Sequence, residues 1–260
     1  MIQSISGSPA VDADDVLSHA VFLKDVVVEF DGFRALDVNR FGVHFNDLRV
    51  VIGPNGAGKT TLCDVISGKS KPRSGRVFFH KEEITRLPDA EIARKGVGRK
   101  FQTPTVFDSL TVYENMELAL PGRRQVFRNL FGRESDEQRD KILTVLRRVH
   151  LTEALNMPAK YLSHGQRQWL EISMLIVAEP KLLLIDEPAA GLTDRETELT
   201  AELLLELRGQ HTIIVIEHDM DFVRRLDARV TVLNEGKVLA EGSMQEVQTH
   251  PDVIEAYLGR

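Results

Sequence analysis

The sequence predicts an α/β protein whose core sheet is largely parallel. From Val26 onward, short runs rich in aliphatic and β-branched residues alternate with amphipathic helical stretches. Several of these runs are almost wholly apolar, as in strands that helices cover on both faces. Regular alternation of such strands with helices is typical of a parallel sheet. The 260 residues are enough for a substantial core in one or two domains.

The predicted strands and helices follow from these runs. Apolar runs predict strands at residues 26–30, 49–52, 76–79, 181–185 and 212–216. Amphipathic patterns predict helices at residues 59–67, 136–149, 166–178 and 194–207. In the last helix, Leu199, Leu203 and Leu207 recur every fourth residue and form one apolar stripe. Its start, Thr193 followed by Glu196, has the spacing of a capping box.

Three regions lie outside this alternating core. Residues 1–20 are acidic and lack a continuous apolar stretch, so we expect a flexible tail followed by one domain over residues 21–260. Residues from about 104 to 178 are helical in pattern and predict a helical subdomain inserted into the sheet domain. Near the end, apolar runs at 230–233 and 237–240 flank an Asn-Glu-Gly turn, which predicts an antiparallel hairpin.

Composition and charge exclude several classes of protein. The net charge of −6 provides no basic footprint for bulk nucleic-acid binding. Cys63 is the only cysteine, so an internal disulfide is impossible and a reducing cytosol suits the chain best. No apolar run approaches the ~20 residues of a membrane helix, and the first residues do not resemble a secretion signal. If the protein works at a membrane, we expect another chain to hold it there.

The most informative segment is a glycine-rich loop between a predicted strand and a predicted helix. It matches the pattern G-x-x-x-x-G-K-[ST]. Glycines let successive backbone N–H groups point at an anion, and the helix start adds free N–H donors and its dipole. Lys59 would lie between the β- and γ-phosphates of a nucleotide, and Thr60 would ligate Mg²⁺. The predicted phosphate-binding residues are Gly53, Pro54, Asn55, Gly56, Ala57, Gly58, Lys59, Thr60 and Thr61.

A second segment supports nucleotide chemistry. Four aliphatic residues at 182–185 form a predicted strand that ends in Asp186 and Glu187. Asp186 would hold Mg²⁺, a cation that prefers oxygen ligands, through its water shell. Glu187 would polarise the water that attacks the γ-phosphate. By themselves, the two motifs are shared by kinases, GTPases and many ATPases.

Further residues narrow the class of nucleotide-binding protein. The sequence Leu162-Ser163-His164-Gly165-Gln166 closely resembles the LSGGQ signature of ATP-binding-cassette (ABC) ATPases. Gln102 resembles the glutamine of the family's Q-loop, His218 its switch histidine, and Phe30 the aromatic residue that stacks on adenine. The resemblance covers nearly the whole chain from residue 22 to residue 260. It implies a P-loop NTPase core of the ABC ATPase type with a mostly parallel sheet, an inserted helical subdomain and an antiparallel β portion.

The resemblance also implies an ATPase that uses ATP and Mg²⁺ and works as a dimer. In the family, two cassettes pair head to tail, and each nucleotide lies between one subunit's phosphate loop and the other's signature. Stacking of Phe30 on adenine would contribute about 1–3 kcal/mol. The other implied sites are catalytic residues Glu187, His218 and Gln102, Mg²⁺ neighbours Thr60, Gln102 and Asp186, and nucleotide-capping residues Ser163, Gly165 and Gln166.

Two residues depart from the family pattern. His164 replaces the middle glycine of the signature, where a larger side chain could touch the γ-phosphate, alter closure or point to solvent. Thr193 stands where many relatives have an acidic residue. The capping box provides Thr193 with a structural role of its own, which leaves its contacts across the dimer open.

Finer features resemble the branched-chain amino acid and amide importer branch. The stretches most similar to one ATP-binding subunit of urea importers are 30–33, 101–107, 163–166 with 168–171, and 191–194. The branch uses two ATPase chains, two membrane permeases and a periplasmic binding protein. The resemblance therefore implies an ATPase at the cytoplasmic face of the inner membrane, held by permeases through a coupling helix near Gln102, that energises import of urea or short-chain amides.

Alternatives remain at this level. A branched-chain amino acid importer fits the same branch, and either a homodimer or a heterodimer is possible. A soluble ABC protein acting on ribosomes or DNA usually has paired cassettes or long coiled coils, which 260 residues do not accommodate. The acidic and histidine residues at 186, 187 and 218 argue against a regulatory module that does not hydrolyse ATP. The basic and aromatic stretch Arg123–Arg133 leaves contact with nucleic acid or lipid headgroups open. A solvated excursion of the helical subdomain, with no nucleic-acid partner, is favoured because the total charge is negative.

Overall fold

The computed structural model describes residues 13–99, 106–121 and 136–258. Its strands, in chain order, are β1 (His19–Phe30), β2 (Phe33–His44), β3 (Leu48–Ile52), β4 (Ser74–Phe79), β5 (Glu82–Glu83), β6 (Val97–Arg99), β7 (Leu182–Asp186), β8 (Thr212–Ile216), β9 (Arg229–Asn234) and β10 (Lys237–Gly242). One sheet has the order β2-β1-β4-β5 and is antiparallel. The other has the order β10-β9-β3-β8-β7-β6. In it β10 pairs antiparallel with β9, and the remaining neighbours are parallel.

Helices flank both sheets. In chain order they are α1 (Ala13–Ser18), α2 (Lys59–Ile66), α3 (Asp89–Arg94), α4 (Val112–Ala119), α5 (Asp136–Arg148), α6 (His164–Val177), α7 (Asp194–Leu207), α8 (Met220–Leu226), α9 (Met244–Gln248) and α10 (Pro251–Leu258). Between residues 106 and 178 the described part of the chain holds α4, α5 and α6 and contributes no strand to either sheet. Within the described ranges, no helix has the length and hydrophobicity to cross a bilayer.

The parallel sheet lies between two hydrophobic layers. All five residues of β3 are buried. Val51 packs in the layer shared with α2 and the antiparallel sheet, whereas Val50 and Ile52 belong to the layer shared with α6 and α7. Burial on both faces explains why the core strands are largely apolar in the sequence. Because parallel strands end at one edge, the loops after β3, β7 and β8 lie side by side.

The antiparallel sheet begins earlier than predicted. Residues 13–20, expected to belong to a flexible tail, form α1 and the first two residues of β1. Strand β1 pairs with both β2 and β4, and Ala20, Val21 and Phe22 are buried in it, which explains why the chain is already folded there. Strand β2 was not predicted, because its buried residues alternate with polar ones instead of forming a continuous apolar run.

Candidate nucleotide-binding and catalytic site

The glycine-rich loop runs from the end of β3 to the first residue of α2. Other strands crowd its backbone on two sides. A Cβ atom on Gly53 would lie 2.1 Å from the carbonyl oxygen of Leu233 at the end of β9, and one on Gly58 would lie 2.7 Å from the carbonyl oxygen of Ala35 in β2. Gly58 also has a φ of +97°, in the left-handed region. Only glycine fits these two positions, so both sheets contribute to the shape of the loop.

Lys59 bends back over this loop. Its ammonium donates hydrogen bonds to the carbonyl oxygens of Gly53, at 2.7 Å, and Pro54, at 3.0 Å. Burial lowers the pKa of Lys59, while the carboxylates of Glu187 and Asp186 oppose that shift. The N–H groups in the first turn of α2 have no acceptor within the helix. The loop therefore presents a cation and free backbone donors at one place, the arrangement that binds phosphates.

Asp186 is the last residue of β7 and lies beside the phosphate loop. Burial raises the pKa of its carboxyl, the Glu187 carboxylate adds to the rise, and Arg99 and Lys59 partly offset it. Its buried Oδ2 atom has no hydrogen-bond partner, so this oxygen is free for a cation and fits Mg²⁺. In the described residues no cluster of three or more histidine, cysteine and acidic side chains could hold a metal. A Mg²⁺ ion here would therefore complete its shell with nucleotide and water oxygens, beside Asp186 and the Thr60 hydroxyl.

Glu187 and His218 lie together at the ends of two adjacent strands. The Oε1 atom of Glu187 is 3.6 Å from Nδ1 of His218, and both side chains are substantially exposed. The backbone of Glu187 has a φ of +49°, rare for a residue with a side chain. Its N–H donates to the carbonyl oxygen of Ile216 at 2.9 Å. A carboxylate and an imidazole thus meet within reach of the phosphate loop, as a water-activating pair requires.

The signature residues form the start of α6. The hydroxyl of Ser163 accepts a hydrogen bond from Gln166 N–H at 3.2 Å, and Gln166 Oε1 accepts one from Ser163 N–H at 3.0 Å. Gly165 is buried so closely against α7 that a Cβ atom on it would lie 2.1 Å from Oε1 of Glu196. Among the described residues, no hydrogen bond or ion pair joins residues 163–166 to the phosphate loop.

Both departures from the family pattern have contacts within the chain. His164 places Nε2 3.2 Å from the carbonyl oxygen of Ala190, so its side chain lies against the loop after β7. Thr193 is the N-cap of α7, and the predicted capping box with Glu196 is confirmed. The Thr193 hydroxyl accepts from Glu196 N–H, while Glu196 Oε2 accepts from Thr193 N–H at 3.0 Å.

The remaining predicted residues have different outcomes. Phe30 is the last residue of β1 and is 48% exposed, beside its pairing partner Phe33, which is 66% exposed. Because this hairpin contacts the phosphate loop through Ala35, an exposed ring at its tip suits adenine stacking, which stays a prediction. Gln102 and the stretch Arg123–Arg133 lie outside the described residues.

Sequence reasoning missed two buried polar residues next to Glu187 and His218. Glu217 is fully buried, and Gln168 of α6 is almost so. Both hydrogen-bond to the loop that follows β7. The sequence shows that the carboxylate of Glu217 directly follows the apolar run of β8. A charged residue at the end of a strand is ordinarily an exposed turn residue, so its burial was not predicted.

Comparisons with known proteins agree with this geometry. A family model described as "ABC transporter" matches residues 36–190. The chain belongs to the ABC transporter family. A second model, described as "Branched-chain amino acid ATP-binding cassette transporter", matches residues 237–260. The predicted P-loop NTPase fold of ABC ATPases is thereby confirmed, and the chain is an ATPase of this family.

Individual relatives are similar over nearly the whole chain. The high-affinity branched-chain amino acid transport ATP-binding protein LivG of Escherichia coli K12 is 38% identical over 90% of this chain and 95% of its own. The ADP conformation of an ATP-binding cassette of an ABC transporter superposes with a TM-score of 0.81, at 32% identity over 93% of this chain and 99% of that one. A dimeric post-hydrolysis cassette bound to ADP and Pi has a TM-score of 0.72, at 27% identity over 86% and 98%.

Proposed function

We propose that this ABC ATPase binds ATP with Mg²⁺ and drives solute import as one of two ATPase subunits. The proposal rests on the division of the predicted site residues into two separate groups. The phosphate loop, Asp186 and the pair of Glu187 and His218 meet at the ends of β3, β7 and β8. Ser163 and the free N–H groups at the start of α6 would form a second anion-binding surface, and within the described ranges no hydrogen bond joins residues 163–166 to that loop.

A second cassette would complete each site. In the proposed head-to-tail pair, the helix start at Ser163 caps the nucleotide held by the partner's phosphate loop. A related cassette bound to ADP and Pi is described as dimeric, which supports this arrangement. Residues 53–61 would hold the phosphates. Glu187 would accept a proton from the attacking water, and His218 would orient it.

A cleft between the sheet domain and the helical subdomain is the proposed binding site for a permease. The cavity has a volume of about 520 Å³ and is lined by α3, β6 and the end of α6, including Ala93 and Leu175. Its lining includes Arg99, the last described residue before the segment that contains Gln102. A short permease helix in this cleft would hold the ATPase at the cytoplasmic face of the inner membrane and transmit closure of the ATPase pair.

For the solute, the relatives favour a branched-chain amino acid. Relatives such as LivG are named for branched-chain amino acid transport, and the description of the model that matches residues 237–260 also names branched-chain amino acids. The urea or short-chain amide specificity stays a prediction that rests on short sequence stretches. No residue of an ATPase subunit would contact the solute, which a periplasmic binding protein would deliver to the permeases.

Co-purification tests the assignment to an importer. Detergent-solubilised membranes from cells that express the tagged chain should yield two permeases and a second ATPase chain or a second copy of this one. Recovery with ribosomes or DNA would instead support the soluble ABC class. The ATPase rate per chain should also rise with protein concentration, because two chains form each site. A dilute monomer that hydrolyses ATP at the full rate would contradict the shared site.

Titration of the binding protein tests the solute. The binding protein that stimulates ATP hydrolysis by the purified assembly is mixed separately with leucine, isoleucine, valine, urea and acetamide, and heats of binding are measured. Tight binding of leucine, isoleucine or valine supports the amino acid assignment. Tight binding of urea or acetamide alone would establish the sequence-based prediction in its place.

A further inference from the structure

The loop segment of residues 187–190, which follows β7, is held by side chains of two other elements. From the end of β8, Oε1 of Glu217 accepts a hydrogen bond from Ala189 N–H at 2.9 Å. From α6, Nε2 of Gln168 donates to the carbonyl oxygen of Glu187 at 3.3 Å and to that of Pro188. The backbone next to the catalytic carboxylate therefore has partners on both sides.

Glu217 also holds the histidine loop. Its second oxygen, Oε2, accepts hydrogen bonds from the N–H groups of His218, at 2.9 Å, and Asp219, at 3.3 Å. The side chain is fully buried. A buried carboxylate is stable only where donors satisfy it, and here three backbone N–H groups from two separate loops do so. One carboxylate thus fixes the distance between the two loops.

The backbone at Glu187 needs such support. Its φ of +49° is unfavourable for a residue with a Cβ atom and persists only where the surroundings impose it. The bond from its N–H to Ile216 fixes one end of the peptide, and Gln168 fixes the carbonyl at the other. This conformation sets the direction in which the carboxylate of Glu187 leaves the strand end.

We propose that Glu217 and Gln168 are positioning residues for ATP hydrolysis. Together they hold the Glu187 backbone in its left-handed conformation and keep His218 beside it, without either touching the nucleotide. This inference rests on the proposed catalytic role of Glu187. It extends that role, because Gln168 belongs to the helix whose start would cap the partner's nucleotide, so a shift of that cap would be transmitted to Glu187.

Glu217→Gln is the central test. The substitution replaces one acceptor oxygen with an NH₂ group, which cannot accept from the backbone N–H it would face. In the full-length chain within its co-purified assembly, we expect kcat to fall about 10–100-fold, because small displacements of a catalytic group cost rate of this order. The KM for ATP should stay within about twofold, since the phosphate loop is untouched.

A matched control separates positioning from general destabilisation. Glu241 of β10 is a partly buried carboxylate that accepts hydrogen bonds from Arg49 and Thr231, and Glu241→Gln should leave kcat unchanged. Should Glu217→Gln fail to fold, Gln168→Ala removes the two donors from α6, and we expect its kcat to fall about 10-fold with KM retained.

The double variant Glu187→Gln/Glu217→Gln decides the mechanism. If Glu217 acts by placing Glu187 and His218, the double variant loses far less rate than the product of the two single losses. Independent, multiplying losses would overturn the positioning role, as would a wild-type kcat in both Glu217→Gln and Gln168→Ala. A wild-type rate in Glu187→Gln would instead contradict the proposed role of Glu187 as the base, so the two failures are distinguishable.

Discussion

Asp186 at the end of β7 pairs directly with Ile216 at the end of β8. Because the two strands are parallel and in register, the residues that follow them leave the sheet side by side. That register brings Glu187 within 3.6 Å of His218, although 31 positions separate them in the chain. The proximity of Glu187 and His218 therefore depends on strand pairing rather than on any local motif.

Glu187→Gln should bind ATP but hydrolyse it about 10²–10⁴-fold more slowly, because a positioned general base contributes about that factor. The amide keeps the size of the side chain but does not take a proton from water. Phosphate release measures turnover, and a fluorescent ATP analogue measures binding. Glu202→Gln, on the exposed side of α7, is the control and should match wild type. Equal rates in the two variants would reject Glu187 as the base.

Asp186→Asn should stabilise the nucleotide-free protein at neutral pH while weakening Mg²⁺-dependent ATP hydrolysis. Burial raises the pKa of this carboxyl, so its ionised form is disfavoured in the folded state. We expect Tm to rise by about 2–4 °C, the shift that about 1 kcal/mol produces in a chain of this size.

The sign of the pH dependence follows from the same raised pKa. The protonated Asp186 favours the folded state, and this contribution is lost as the pH rises through the folded-state pKa. The Tm advantage of Asp186→Asn should therefore be largest at neutral pH and shrink as the pH falls below that pKa. Asp221→Asn, at a highly exposed position, should show no such trend. A constant Tm difference between pH 4 and pH 8 would contradict the assignment.

Cys63 should resist thiol reagents in the folded protein. It is buried in α2 directly behind the phosphate loop, and burial raises the pKa of its thiol to about 12. Only the thiolate reacts, so labelling at pH 8 should be at least about 10³-fold slower than for a free thiol. Because the chain has one cysteine, absorbance from a chromogenic disulfide reagent reports this residue alone. Rapid labelling without urea would show that α2 opens readily.

Ala93→Glu should weaken permease binding without affecting nucleotide binding. Ala93 is exposed on α3 and lines the proposed permease cleft, so a longer charged side chain there would obstruct an incoming helix. We expect the permease yield in a pull-down to fall at least about tenfold, a loss that corresponds to about 1.4 kcal/mol. Leu205→Glu is the control, because it adds the same charge at an exposed position of α7. An unchanged yield with Ala93→Glu would place the permease elsewhere.

Much of the site was visible in the sequence because its chemistry is encoded locally. The glycine-lysine loop, the carboxylates after β7 and the serine that caps α6 are each contiguous, and the turn, cap and helix dipole that make them work involve neighbouring residues. The core strands were equally visible, since burial on both faces produces an uninterrupted apolar run. The alternating strand β2 and the start of β1 lacked that signal.

The positions of these segments relative to one another could be determined only from the tertiary structure. Nothing near position 187 in the chain indicates that Glu217 and Gln168 would hold the loop there, or that His218 would face Glu187. Hydrogen bonds between residues distant in the chain depend on strand order, register and helix packing, and these arise from burial summed over many residues. Local patterns therefore identified the reacting groups, and long-range packing set their mutual positions.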